Sequence, residues 1–235
     1  MTKLIASTWE DSMDEKDIRN PIDFAGPADK KVRALDDLSV VNEPILKVIA
    51  RAIDKNHGSK TSVNRKLSDR IKSKAQRLET LIKQPWFDIE HIRDSLRFRT
   101  GITKLEDVEK IYELLVGRGD IEFVKVDLVK MFAPKLWGWR FAAVDLAMPN
   151  KQIVEYYQSF TEMIAVNDST GHPLYEKWRN ASKEETMRHA VQIRKDLEKS
   201  IQAYADVWDK KLGELGLTET SAKERWDEIR NRIGY

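Results

Sequence analysis

The chain has 235 residues, 41% hydrophobic and 34% charged, which is enough apolar material for one core beneath a highly charged surface. Its 41 basic and 39 acidic groups leave a net charge of only +2, so no global field points to nucleic acid, and the absence of cysteine excludes disulfides, thiolate nucleophiles and cysteine zinc sites. No two of the four histidines fall at a helical ligand spacing, no apolar run approaches the roughly 20 residues of a membrane span, and no charged-then-apolar leader opens the chain, the pattern of a soluble cytoplasmic protein.

Residues 1–41 mix charge with Pro21, Gly26 and Pro27, and are expected to form a partly ordered arm with one short helix over 28–38. From Asn42, the positions Ile45, Leu46, Ile49, Ala50 and Ile53 follow helical spacing up to His57-Gly58-Ser59. A second helix is predicted from about Ser62 to Lys83, with Val63, Leu67, Ile71, Leu78 and Ile82 on one side and Pro85 as its stop. Leu96 to Gly101 alternates apolar and polar residues, as a strand does, after a lead-in from Ile89. Leu105 to Val116 is an amphipathic helix closed by Gly117 and Gly119. Further strands are expected over Ile121–Val129, Phe141–Leu146 and Ile153–Tyr157. After Gly171-His172-Pro173 the pattern is helical to the end, with segments over Lys183–Leu212 and Ser221–Ile233. The fold class is therefore α+β, a small mixed sheet flanked by helices with a helical C-terminal extension. The expected divisions are an arm (1–41), a core domain (42–178) and the extension (179–235).

The stretch Pro134 to Glu155 carries the functional signal. Lys135 can hold a phosphate, Gly138 lets backbone approach a ligand closely, and Trp139 offers a stacking face. Asp94 and Glu155, if they come from adjacent strands, could share a hard divalent cation; they could equally be ordinary surface acids. For Trp139 the residues alone favour a second role, that of a loop tryptophan plugging the edge of the core. Lys60, Lys66, Arg70, Lys72, Arg77 and Lys83 read mostly as a solvated helix face. Lys60 and Lys66 are set apart because they flank a helix start expected at Thr61-Ser62, where free N–H groups favour anions. Trp208 and Trp226, on charged helices, read as packing anchors.

These residues resemble a known family. Pro134-Lys135-x-x-Gly138-Trp139-Arg140 is similar to the Pro-Lys-x-x-Gly-Tyr segment of the RelA/SpoT synthetase domain. Ile92-x-Asp94-x-x-x-x-Arg99 resembles its Asp-x-x-x-x-Arg strand, and Val154-Glu155 the start of its Glu-Val-Gln strand. Met163 and Gly171-His172-Pro173-Leu174-Tyr175 resemble its downstream Met, then Gly, His and Tyr. Four separated elements agree in order and spacing over residues 58–178.

The resemblance implies a nucleotidyltransferase-like fold that moves pyrophosphate from ATP to the 3′-hydroxyl of a purine nucleotide, as in small stand-alone alarmone synthetases and related toxins. It implies that Asp94 and Glu155 hold Mg²⁺, Glu155 also helping to activate the hydroxyl. Lys60, Lys66 and Arg99 then hold ATP, Lys135 and Arg140 lie with the nucleotide phosphates, and Trp139 stands where the family tyrosine stacks on the acceptor base. The chain departs from the pattern in three places. The ATP loop matches either Lys60-Thr61-Ser62-Val63-x-x-Lys66-Leu67, two spacer residues short, or Arg70-Ile71-Lys72-Ser73 within the predicted helix; the first is preferred because N–H donors are free at a helix start. The family histidine is Ala143, and the family glutamine is Tyr157. Rival readings are a relative that binds nucleotide or RNA without transfer, a toxin that pyrophosphorylates tRNA, and an interaction protein acting through its long helices. An antitoxin or immunity protein and self-assembly through the C-terminal helices are the partners these readings imply, with action in the cytoplasm of the producing cell or of a target cell.

Overall fold

The structure, a computed structural model, describes residues 18–22, 27–81, 89–134, 136–179 and 181–234, with 75–81 given by backbone alone. Its centre is a five-stranded mixed sheet: β1 (Lys60–Arg65), β2 (Leu96–Ile102), β3 (Glu122–Asp127), β4 (Ala142–Ala147) and β5 (Ile153–Phe160), in spatial order β1-β2-β5-β4-β3. β2 and β5 run parallel; the other neighbours are antiparallel. The α+β class expected from the sequence is the class observed.

The helices in chain order are α1 (Ala28–His57), α2 (Ser68–Leu81), α3 (Glu106–Val116), α4 (Thr161–Val166), α5 (His172–Trp178), α6 (Lys183–Arg188), α7 (Ala190–Glu214) and α8 (Glu219–Ile233). α1 is one 30-residue helix where two were expected. The apparent break comes from polar residues that turn out to be buried and bonded. The Asn42 side chain donates to Asn150 Oδ1 and Gln152 Oε1, each at 2.7 Å, and Ser39 Oγ donates to Leu35 O at 2.8 Å. A helix tolerates such residues when their side chains find partners outside its own backbone ladder or back-bond within it. α1 ends as expected at Gly58, left-handed at φ 62°, whose N–H bonds Asp54 O at 2.9 Å.

A second correction concerns residues 60–67. The helix expected from Ser62 begins only at Ser68, and Lys60–Arg65 is an edge strand paired antiparallel with β2. The Thr61 and Thr100 hydroxyls meet at 2.9 Å across that pair, and Val63 stands opposite buried Phe98. Thr61-Ser62 therefore offers no helix N-terminal N–H groups to an anion.

Alternation divides the sheet into two faces. One buries Phe98, Tyr156, Val144 and Val126 against Leu46, Ile49 and Ile53 of α1 and Val108 and Ile111 of α3. Phe98 and Tyr156 stack at 4.0 Å in that core. α7 and α8 extend the same core with Trp208 and Trp226, each 1% exposed; the Trp226 indole donates to Leu128 O at 3.0 Å. They are the packing anchors expected. The opposite face is polar and carries the candidate site.

Candidate active site on the polar face of the sheet

Strand register decides which side chains meet. Asn64, Arg97, Glu155, Asp145 and Lys125 are successive partners across all five strands, so they form one row on one face. The next row is Ser62, Arg99, Tyr157, Ala143 and Asp127. Asp94 lies in the short helical turn Arg93–Ser95 that leads into β2. Since β2 and β5 are adjacent and parallel, Asp94 and Glu155 enter the site from the same end of neighbouring strands.

A buried polar network fixes that end. Gln152, one residue before β5, donates to Ser39 Oγ at 2.8 Å and to Ser95 Oγ at 3.3 Å, and accepts from Asn42. It ties α1 to the segments that lead into β2 and β5. Satisfied buried networks of this kind favour a single arrangement over its competitors.

Asp94 is 8% exposed, and its two carboxylate oxygens take one lysine each: Lys66 on Oδ2 and Lys74 of α2 on Oδ1. Burial pushes this carboxyl up, but the ammonium groups of Lys74 and Lys66 outweigh burial and hold it well below the usual carboxylate range. Burial in turn pulls the Lys66 ammonium down to about 8, with Asp94 opposing and Lys74 adding to the fall. Asp145 receives Arg93 Nη1 at 2.5 Å; burial pushes its carboxyl up to about 6, against the pull of Arg93 and with Glu155 adding to the rise.

Glu155 accepts the Tyr157 hydroxyl on Oε2 at 2.5 Å. Burial, with the charge of Glu155 next, pushes the Tyr157 phenol well above its ordinary value; Asp94 also contributes, which places both carboxylates within electrostatic reach of one ring. Arg99 makes a two-pronged pair with Asp168, at 2.6 and 2.5 Å, in the wide turn Asn167–Gly171. Burial holds the His172 imidazole below its ordinary value, Glu176 opposing and Arg97 adding, so α5 also borders this face. Arg97, between Asn64 and Glu155 in the central row, makes no ion pair among the described residues.

The structure thus brings together Asp94, Glu155, Lys66 and Arg99 from the expected set. Lys60 is exposed on β1, opposite Gly101, at the far end of the same face. Lys135 lies outside the described residues. Arg140 does not join the group: its guanidinium donates to Met131 O at 3.2 Å, lies 3.5 Å from Glu219 and sits 4.5 Å over the Trp208 ring. Trp139 is half-buried at the core edge, stacked on Phe141 at 5.6 Å and tilted against Tyr204 at 5.7 Å. The alternative ATP loop, Arg70 to Ser73, lies inside α2 as anticipated.

Gly138 also has a different partner from the one expected. It adopts φ 90°, and a side chain there would meet Tyr204 Cδ2 at 3.0 Å and the α7 backbone at Ile201 Cα at 3.1 Å. At Gly171 an added Cβ would lie 2.1 Å from the Tyr204 hydroxyl. Both glycines make room for Tyr204, whose hydroxyl donates to Asn167 Oδ1 at 2.9 Å, while Ser200 of α7 donates to Trp137 O at 2.8 Å. The C-terminal extension therefore packs on the loop between β3 and β4.

Sequence reasoning did not single out Lys74, Arg93, Arg97, Asp145 or Tyr157 as site residues. Arg93 and Arg97 flank Asp94 within the recognised segment, and Tyr157 was noted only as a departure. For Lys74 and Asp145 the signal is the fold itself.

Asp94 and Glu155 are oxygen donors suited to a hard cation, and Glu155 Oε1 makes no hydrogen bond among the described residues. No group of three His, Cys, Asp or Glu side chains suited to a metal occurs among those residues. Such a donor set fits an ion that brings most of its ligands with it, as water and phosphate oxygens, rather than a closed structural site.

Comparison with known proteins supports the architecture. No family model matches the sequence, and no curated protein matches it. The fold is that of the small alarmone synthetases. Synthetase 2 from Bacillus subtilis superposes with a TM-score of 0.55 at 17% identity, over 79% of this chain and 95% of that one. The type VI effector Tas1, solved in complex with its immunity protein, superposes with a TM-score of 0.53 at 17% identity, over 77% of this chain and 97% of the effector. At this identity the shared property is the fold.

Among the described residues, no helix is long and apolar enough to cross a membrane.

Proposed function

We propose that the protein is a Mg²⁺-dependent pyrophosphokinase that transfers the β,γ-pyrophosphoryl group of ATP to the 3′-hydroxyl of a purine nucleotide. The observation that carries this is the placing of Asp94, in the turn that leads into β2, and Glu155, on the adjacent parallel strand β5, at the same end of the sheet, with Lys66 and Lys74 gathered on Asp94. In the reaction the acceptor oxygen attacks the β-phosphorus, the bond to the α,β-bridging oxygen breaks, and its electron pair leaves with AMP. Glu155 takes the proton of the acceptor hydroxyl. Lys66, Lys74, Arg97 and Arg99 are the cations placed to neutralise the polyphosphate, Lys66 and Lys74 exchanging Asp94 for phosphate oxygens. A Mg²⁺ held by Asp94 and Glu155 supplies further charge neutralisation when bound. Positioning and charge do most of the work in such a transfer, so no covalent nucleophile is needed.

The test is incubation of the chain and Mg²⁺ with γ-labelled ATP and each of GDP, GTP, ADP and tRNA, with products identified by mass spectrometry. Label on a purine nucleotide supports the proposal, label on tRNA identifies the toxin variant, and no transfer to any acceptor refutes both. A toxin also implies an immunity partner and growth arrest on expression that Glu155→Gln abolishes.

A second reading, nucleotide binding without transfer, is favoured by one observation: both oxygens of Asp94 are already occupied by lysines. Calorimetric binding of ATP with no turnover supports it, and no binding eliminates it.

A further inference from the structure

Two departures from the family resemblance meet across the sheet. Ala143 and Tyr157, which stand where a histidine and a glutamine were expected, are direct register partners across β4 and β5. The side chain at 143 is a methyl group, and the phenol at 157 is the larger partner on the same face. The Tyr157 ring is held edge-on against Phe141, with centroids 5.2 Å apart and planes at 90°. Phe141 in turn stacks on Trp139. Because residues two apart on a strand share a face, this ring reaches along β5 and sets its hydroxyl on Glu155 Oε2 at 2.5 Å.

We propose that Tyr157 is the positioning residue for Glu155: its hydroxyl holds Oε2 and leaves Oε1 as the oxygen presented to the acceptor hydroxyl. The proposal rests on the reading of Glu155 as the proton-accepting carboxylate. A glutamate has three side-chain torsions, the last of them broad, so an unrestrained carboxylate samples many orientations. A short hydrogen bond to an ionised oxygen is among the stronger ones available, and it removes much of that freedom. Glu155 makes no other hydrogen bond among the described residues, so this phenol sets the orientation of its carboxylate. Small misplacements of a reacting group cost rate far more than they cost binding. The exchange also leaves this part of the wall without an imidazole or an amide. An acceptor entering here meets a methyl group and a phenol whose proton is already committed.

The test uses Tyr157→Phe, which keeps the ring against Phe141 and removes only the hydroxyl. The expected result is a fall in kcat of about 10- to 100-fold with KM for ATP and for the acceptor within about twofold, in a variant that unfolds within a few degrees of the parent. An unchanged kcat, or a loss confined to KM, overturns the proposal. A second measurement does not depend on turnover. In the ligand-free chain labelled at tyrosine Cζ, the Tyr157 carbon resonance, assigned by its loss in Tyr157→Phe, should shift in Glu155→Gln. A resonance that stays in place overturns the proposal even if kcat falls. If the parent chain transfers no label to any acceptor, the pyrophosphokinase reading fails by itself, and the resonance still decides whether Tyr157 holds Glu155.

Discussion

Replacing Asp145 by asparagine should flatten the pH dependence of stability between about pH 4 and pH 6. Asp145 is 7% exposed, faces Glu155 across β4 and β5, and has Arg93 as its ion-pair partner. Burial outweighs that partner and pushes the carboxyl from 3.8 up to about 6. A displacement of roughly two units corresponds to about 3 kcal/mol. The sign follows from proton counting. Between the unfolded and folded values the folded chain retains a proton that the unfolded chain has released. Asp145 therefore contributes stability fully below about pH 4, and that contribution is lost as pH rises through about 6. Asparagine cannot titrate, and the loss of the Arg93 partner adds mainly a constant offset once Asp145 is ionised. Urea unfolding of both chains at intervals from pH 4 to pH 8, at fixed ionic strength, measures the difference in stability directly. That difference should change by about 3 kcal/mol across the window, in favour of the parent at the acid end. Parallel stability curves through pH 4 to 6 would show that Asp145 titrates as an ordinary carboxylate and refute the reasoning.

Glu155→Gln should lower the rate of pyrophosphoryl transfer at least about 100-fold while leaving the fold intact, and a loss of only several-fold in kcat counts against its assigned role. Asp94→Asn strands two lysines at a mostly buried site and should cost about 2–4 kcal/mol at pH 7, read by urea unfolding. In the parent, Lys66 is pulled from 10.5 down to about 8, so the folded chain gives up this proton first and stability gains from Lys66 as pH rises between those values. Without Asp94 that gain should begin at lower pH, which the same unfolding series detects. Gly171→Ala places a methyl group against the Tyr204 hydroxyl and should cost about 1–3 kcal/mol. Tyr204→Leu in the same chain should recover part of that loss, and strict additivity of the two changes would refute the contact.

β2 and β3 were legible because each alternates around a buried side, β4 because its run is apolar enough for the centre of a sheet, and α3 and α8 because their apolar residues recur at helical spacing. β1 was not, since Lys60–Arg65 contains one large apolar residue, Val63, and acquires its conformation from β2 rather than from its own pattern. The break expected in α1 came from placing a helix start at Asn42, a residue whose side chain is instead bonded to Asn150 and Gln152, more than a hundred residues away in sequence. The site shows the same limit. Asp94 and Glu155 were recognisable as acids in a familiar order, but strand order β1-β2-β5-β4-β3 is what makes them neighbours. Lys74 and Asp145 look like solvated charges until α2 and β4 place them.

Reading departures along the chain also misjudges what they mean. Taken singly, Ala143 removes an imidazole and Tyr157 removes an amide, which counts as two losses from a binding pocket. Across the sheet they are register partners, and the ring at 157 packs edge-on against Phe141. The Tyr157 hydroxyl then spends its proton on Glu155, and Phe141 and Trp139 continue the aromatic wall behind it. Here the Tyr157 hydroxyl is bonded to the central carboxylate and its ring is packed on Phe141, so the two substitutions leave no unpaired polar group at either position.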